Sequence, residues 1–153
     1  MNAQQIRDDV TRLAQPQGRM VGTSGHDAAA EYLIGRLSQL GIDPYVGESF
    51  ALTYVVEGQR FTNLVGQIPG ADPNLPPVLI GAHYDTCGPY PGADDNAAAV
   101  AGVASDGIDA EVPTPAANAP PANAAAAASL FFLSSICATV GFVFPLKSPT
   151  QVC

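Results

Sequence analysis

The chain has 153 residues, enough for one domain with a buried core, of which 47 % are hydrophobic and only 13 % charged. A formal net charge of −8 argues against nucleic acid as a partner and against an anionic membrane surface; a cation or an amine-bearing substrate suits that field better. The charge is also uneven: Arg7, Arg12, Arg19, Arg36 and Arg60 come early, the next basic residue is Lys147, and no acid follows Glu111.

In chain order, Ile6, Val10 and Leu13 stand at helical spacing, which predicts an amphipathic helix over 3–14 with Asp8 and Asp9 on its polar side. The stretch QPQGRMVGTSG reads as loop. A second helix opens at Ser24 or Gly25 with Asp27 in its first turn, runs along Ala29, Tyr32, Leu33, Leu37 and Leu40, and stops at Gly41. His26, at the helix start, is expected to be exposed and is given no role. Residues 45–56 and 60–68 are β-branched and aromatic and are joined by Glu57-Gly58-Gln59, a hairpin or meander. After a proline-rich loop over 69–77, residues 78–83 form a continuous apolar run, which predicts a buried central strand. Residues 95–104 are small and suit a helix packed closely on a sheet.

The character then changes. Residues 105–128 are dominated by Ala, Pro and Asn and read as a linker unable to bury enough apolar surface to order itself. Residues 129–153 form an apolar tail. The uncharged run over 124–146 is long enough for a membrane span, but Gly141, Pro145 and its Ser and Thr residues dilute it. A strand pairing with an incomplete sheet is a second reading; a poorly ordered, non-native tail is the preferred one. Cys87, Cys137 and Cys153 are scattered and suggest neither a disulfide framework nor a metal knuckle, and Cys87 reads as a loop cysteine without function. The polar start lacks a signal-peptide pattern, so the chain as given reads as cytoplasmic, or as secreted or periplasmic if a leader precedes it.

The chemistry concentrates in residues 79–96, LIGAHYDTCGPYPGADDN. A strand ending in His-x-Asp puts His83 and Asp85 on one side of the pleat, where His83 can bind a metal and Asp85 can orient it. Tyr84, between them, should point to the other face and pack. Asp94 and Asp95 follow at the mouth of the next loop, where a carboxylate can bridge two ions. Ligand sites of α/β sheets lie beyond the carboxyl ends of strands, as this segment does.

GAHYDT followed by PGADDNAA resembles the co-catalytic zinc aminopeptidases, whose relatives include bacterial leucyl aminopeptidase and glutaminyl cyclase. GRMVGTSGHDAAAEYLIGRLSQLGI and FTNLVGQIPG agree in order and spacing, so the likeness covers residues 5–104. It implies an α/β fold, a partial mixed β-sheet with flanking helices, over 1–104. It implies hydrolysis of N-terminal peptide bonds on a peptide substrate, by two zinc ions that polarise the scissile carbonyl and activate water. His83 matches a zinc-binding histidine, Asp85 the supporting acid of the catalytic centre, and Asp95 the aspartate bridging both metals, whose following peptide bond is often cis. The family also uses a Glu-Glu pair, an aspartate and a histidine further on. Beyond Asn96 this sequence offers Asp106, Asp109 and Glu111, with no Glu-Glu pair and no histidine. The expectation is therefore a truncated or frameshifted relative, inactive alone. The alternative is a non-catalytic remnant that anchors to a membrane or binds a partner through 124–146.

Overall fold

The computed structural model describes residues 3–69, 76, 78–105 and, for the backbone alone, 128–134. The first helix, α1, spans Ala3–Leu13 and the second, α2, Ser24–Gln39. Thr23 caps α2 through its hydroxyl, which accepts from the His26 amide at 3.4 Å, and Asp27 lies in the first turn. Leu40 closes the helix, and Gly41 leaves it at a φ of 68°.

Among the described residues five strands form one mixed sheet: β1, Asp43–Pro44; β2, Ala51–Val56; β3, Gln59–Pro69; β4, Leu79–His83; β5, Ala128–Ser134. β2 and β3 are the expected antiparallel hairpin, with Val56 opposite Gln59. Glu57 and Gly58, both at positive φ, make the two-residue turn that suits the strands' twist. Along the sheet the order is β1-β3-β5-β4, with β2 also paired to β3. β5 runs antiparallel to β3, Leu64 facing Leu133, and parallel to β4, His83 facing Ser134.

Two expectations change here. Residues 128–134 are a strand between β3 and β4, so for them the preferred reading of a poorly ordered tail gives way to the strand reading. Their β-branch-free but aromatic sequence, ASLFFLS, pairs on both sides and so satisfies its main-chain groups. The rest of the 105–128 linker beyond Ser105, and 135–153, lie outside the described residues. No helix among the described residues is long and apolar enough to cross a membrane. β4, in turn, is not buried as expected of a central strand. Its single partner among the described strands is β5, and Val78, Leu79 and Ile80 remain 61, 43 and 39 % exposed.

The core gathers Leu13 from α1, Ala29, Leu33 and Leu37 from α2, Leu64 from β3 and Ala82 from β4. The last helix, α3, Ala98–Val103, adds Val100, and Phe50 and Tyr84 close the cluster from loops. Small residues in α3 let it approach β4 closely, as the Ala-rich composition suggested. Asp9 departs from its expected place on the polar side of α1 and is 1 % exposed. Gln5 donates to it at 3.0 Å, the Tyr32 hydroxyl donates to it, and Arg36 pairs with it at 3.2 Å, which offsets the cost of burying the charge.

Candidate metal centre

Two segments build the site. β4 delivers His83 at its carboxyl end, with Asp85 two residues on. The second segment is a wide turn, Ala93–Ala97, leading into α3. Within that turn Asp95 and Asn96 leave helical geometry, at φ/ψ of −116/89° and −137/34°, and the Asp95–Asn96 peptide bond is cis. This agrees with what the family resemblance implied for that bond.

The turn brings Asp95 Oδ1 to 3.0 Å from His83 Nε2. On the other side of the ring, His83 Nδ1 lies 3.3 Å from Asp85 Oδ1 and 3.3 Å from the Asp85 carbonyl. Asp85 is 2 % exposed, and its Oδ1 makes no hydrogen bond of good geometry. A buried carboxylate oxygen held in reserve behind a histidine fits the role of orienting a metal ligand. Asp95 is the opposite case, with its side chain 87 % exposed. Asp94 is exposed as well.

The donor types and the spacing suit one edge of a zinc shell. At metal–ligand distances of about 2.0–2.1 Å, neighbouring donors of a tetrahedral ion stand about 3.3 Å apart. A closed or catalytic zinc site takes at least three protein ligands. Among the described residues no three His, Cys, Asp or Glu side chains converge to hold an ion, and His83 and Asp95 alone are too few for such a site.

Around the site, Tyr84 is fully buried, as expected of a packing residue. Its hydroxyl donates to the Thr62 carbonyl at 3.0 Å. His26 stacks on its ring with centroids 4.8 Å apart and is 6 % exposed, a correction to the exposed position read from sequence. The aromatic partner lies 58 residues away in sequence, beyond the reach of helical periodicity. Burial lowers the His26 pKa, against the opposing pull of Asp27 and Asp85. Cys87 is disulfide-bonded, which the scattered cysteine spacing did not suggest.

Sequence reading also passed over Arg19. It is 1 % exposed, and its guanidinium donates to main-chain carbonyls on both site segments. Burial lowers its pKa, while the charges of Asp85 and Asp95 work the other way. The one signal available was a lone arginine in a Gly- and Pro-rich loop of a chain with only six basic residues.

The α/β fold is zinc-exopeptidase-like. Residues 63–105, which hold His83, Asp85 and Asp95, match peptidase family M28. The chain is similar to a glutaminyl cyclase from Porphyromonas gingivalis, with a TM-score of 0.63 and 18 % identity over 87 % of this chain and 45 % of that one. It is also similar to a zinc-dependent exopeptidase from Parabacteroides distasonis, with a TM-score of 0.60 and 18 % identity over 86 % and 46 %. A leucine aminopeptidase precursor from Bacteroides thetaiotaomicron gives a TM-score of 0.57 and 16 % identity over 86 % and 46 %. The chain thus spans less than half the length of these structures. No curated protein matches it. The resemblance read from the motifs is borne out at the level of fold and of this segment.

Proposed function

We propose that this chain carries the His83/Asp95 part of a zinc-exopeptidase centre, and that peptide-bond hydrolysis requires ligands beyond those the described residues bring together. The observation that carries the reading is the 3.0 Å approach of His83 Nε2 to Asp95 Oδ1, made between two segments that both lie in the stretch matching peptidase family M28. Zinc, when bound, supplies Lewis acidity toward a peptide carbonyl and toward water. The residues of the chain prepare for it. Asp85 would hold the imidazole from behind: with an ion bound, a proton on Nδ1, 3.3 Å from the Asp85 carboxylate and carbonyl, would leave Nε2 free to coordinate. The net negative field of the chain favours both a divalent cation and the ammonium end of a peptide.

On this reading the substrate is the amino-terminal end of a peptide. The likeness to the two-zinc aminopeptidases is what argues for two ions in the completed centre, with Asp95 as a residue that would hold both. The missing general base and ligands argue that the chain alone does not turn over.

The test is zinc uptake by the full chain beside His83→Ala and Asp95→Ala. Turnover is followed on an aminoacyl anilide and, because cyclases share the fold, on a peptide with N-terminal glutamine. The expected result is measurable zinc binding that falls at least about tenfold in either variant, with no turnover. Zinc binding indifferent to both substitutions overturns the site, and turnover by the chain alone overturns its incompleteness.

A further inference from the structure

Arg19 heads the fully buried side chains by size, yet it lies in the loop between α1 and α2, outside the metal motif. Its Nε donates to the Tyr84 carbonyl at 2.7 Å. Nη1 donates to Leu13 at 2.8 Å and Pro91 at 2.7 Å, and Nη2 donates to Gly92 at 2.9 Å. All four bonds end on main-chain carbonyls. A buried cation ordinarily finds a carboxylate, so this choice of acceptors is informative.

Three of the carbonyls lie within or immediately before the two segments of the site. Tyr84 sits between His83 and Asp85, and Pro91 and Gly92 lead into Asp94 and Asp95. One planar fork therefore spans the gap between the strand end and the turn, a geometry that an ammonium group cannot reproduce. The main chain adds to the link: the Arg19 amide donates to Thr86 Oγ1 at 2.9 Å, and the Thr86 amide donates to the Arg19 carbonyl at 3.3 Å. The approach is close enough to require glycine at 92. That residue has a φ of 57°, and an added Cβ would stand 2.5 Å from the Thr86 methyl and 3.0 Å from Arg19 Nη2.

We propose that Arg19 is the positioning residue that sets the approach of His83 to Asp95, by bridging the carbonyls of Tyr84, Pro91 and Gly92, and thereby sets the divalent-metal affinity of the site. The metal clause rests on the zinc reading above; the positioning clause concerns the metal-free protein and stands or falls separately.

The counterpart of an arginine that merely stabilises the fold is the half-buried Arg36, which pairs with Asp9 and donates to the Ala104 carbonyl at 3.3 Å. The experiment compares the full chain with Arg19→Lys and Arg36→Lys. It follows thermal unfolding, Co2+ titration by visible absorption, and the ring nitrogen resonances of His83 without metal. Arg19→Lys is expected to weaken Co2+ binding about 10–100-fold and to shift the His83 resonances. Arg36→Lys is expected to lower the melting temperature while leaving both site readouts in place. If Arg19→Lys does not fold, Arg19→Ala with guanidinium chloride below denaturing concentration replaces it, and recovery of the native His83 resonances supports the proposal. Unchanged His83 resonances in Arg19→Lys overturn it, as do equal shifts in Arg36→Lys or no recovery in the guanidinium arm. Should the unaltered chain take up no Co2+, the zinc reading fails, and the His83 resonances alone decide the role of Arg19.

Discussion

The two sides of the metal segment differ sharply. Behind it, Asp85, Tyr84 and Arg19 are buried, and Tyr84 and Arg19 are bonded to main-chain carbonyls. In front of it, Asp95 stands in solvent and the outer edge of β4 leaves Leu79 and Ile80 exposed. The side behind His83 and Asp95 is thus packed, while the side in front of them is exposed. The placing of His83 and the covering of its front are separable here, because local carbonyls and one buried acid suffice for the first.

The contrast can be broken most forcefully from behind. Leu37 is fully buried in the core, and Leu37→Ala should cost about 2–5 kcal/mol in chemical denaturation. A cost below about 1 kcal/mol would mean that the supporting side is as loose as the front.

The next effect is alkaline. Burial first, then the hydrogen bond and charge of Asp9, push the Tyr32 pKa up from 10.0 to about 12. Between those values the unfolded chain has lost the proton that the folded chain keeps, so stability is full below 10.0 and falls as pH rises toward 12. Melting temperature against pH should show this decline, and Tyr32→Phe should flatten it. A decline of the same slope in Tyr32→Phe would place its cause elsewhere.

A smaller effect of opposite sense belongs to His26, whose pKa burial lowers below 6.5. Under acid the unfolded chain takes up a proton that the folded chain resists. Stability is therefore full above 6.5 and is lost as pH falls toward the lowered folded value. His26→Phe, which keeps the stack on Tyr84, should remove that limb of the curve. Persistence of the limb would count against the buried, neutral imidazole.

The smallest effect is expected in front. Leu79→Lys should change stability by no more than about 0.5 kcal/mol, since the side chain already meets water. A large loss would show that something covers the β4 edge in solution.

Local signals made much of this legible. The apolar stripe and Gly41 marked α2, Glu57-Gly58 marked the hairpin turn, and HYDT with GADDN marked the two segments that meet at 3.0 Å. What escaped was decided by partners distant in sequence. Asp9 reads as a polar-face residue until Arg36 and Tyr32 close on it, and His26 as exposed until Tyr84 stacks under it. Arg19 reaches acceptors 65 to 73 positions away, which no window of periodicity samples. The run over 78–83 looked central because apolar continuity reports the strand's character and not how many neighbours it has.

The insertion of β5 between β3 and β4 also has a temporal side. Within the sheet of described strands, β4 is held to β3 only through β5, whose register partner for His83 is Ser134. The ligand-bearing strand is therefore made long before the strand that seats it. A ribosome must translate past codon 134, and its exit tunnel must release that stretch, before His83 takes its final place in the sheet. Until then the nascent chain carries His83 on an edge that β5 has yet to pair.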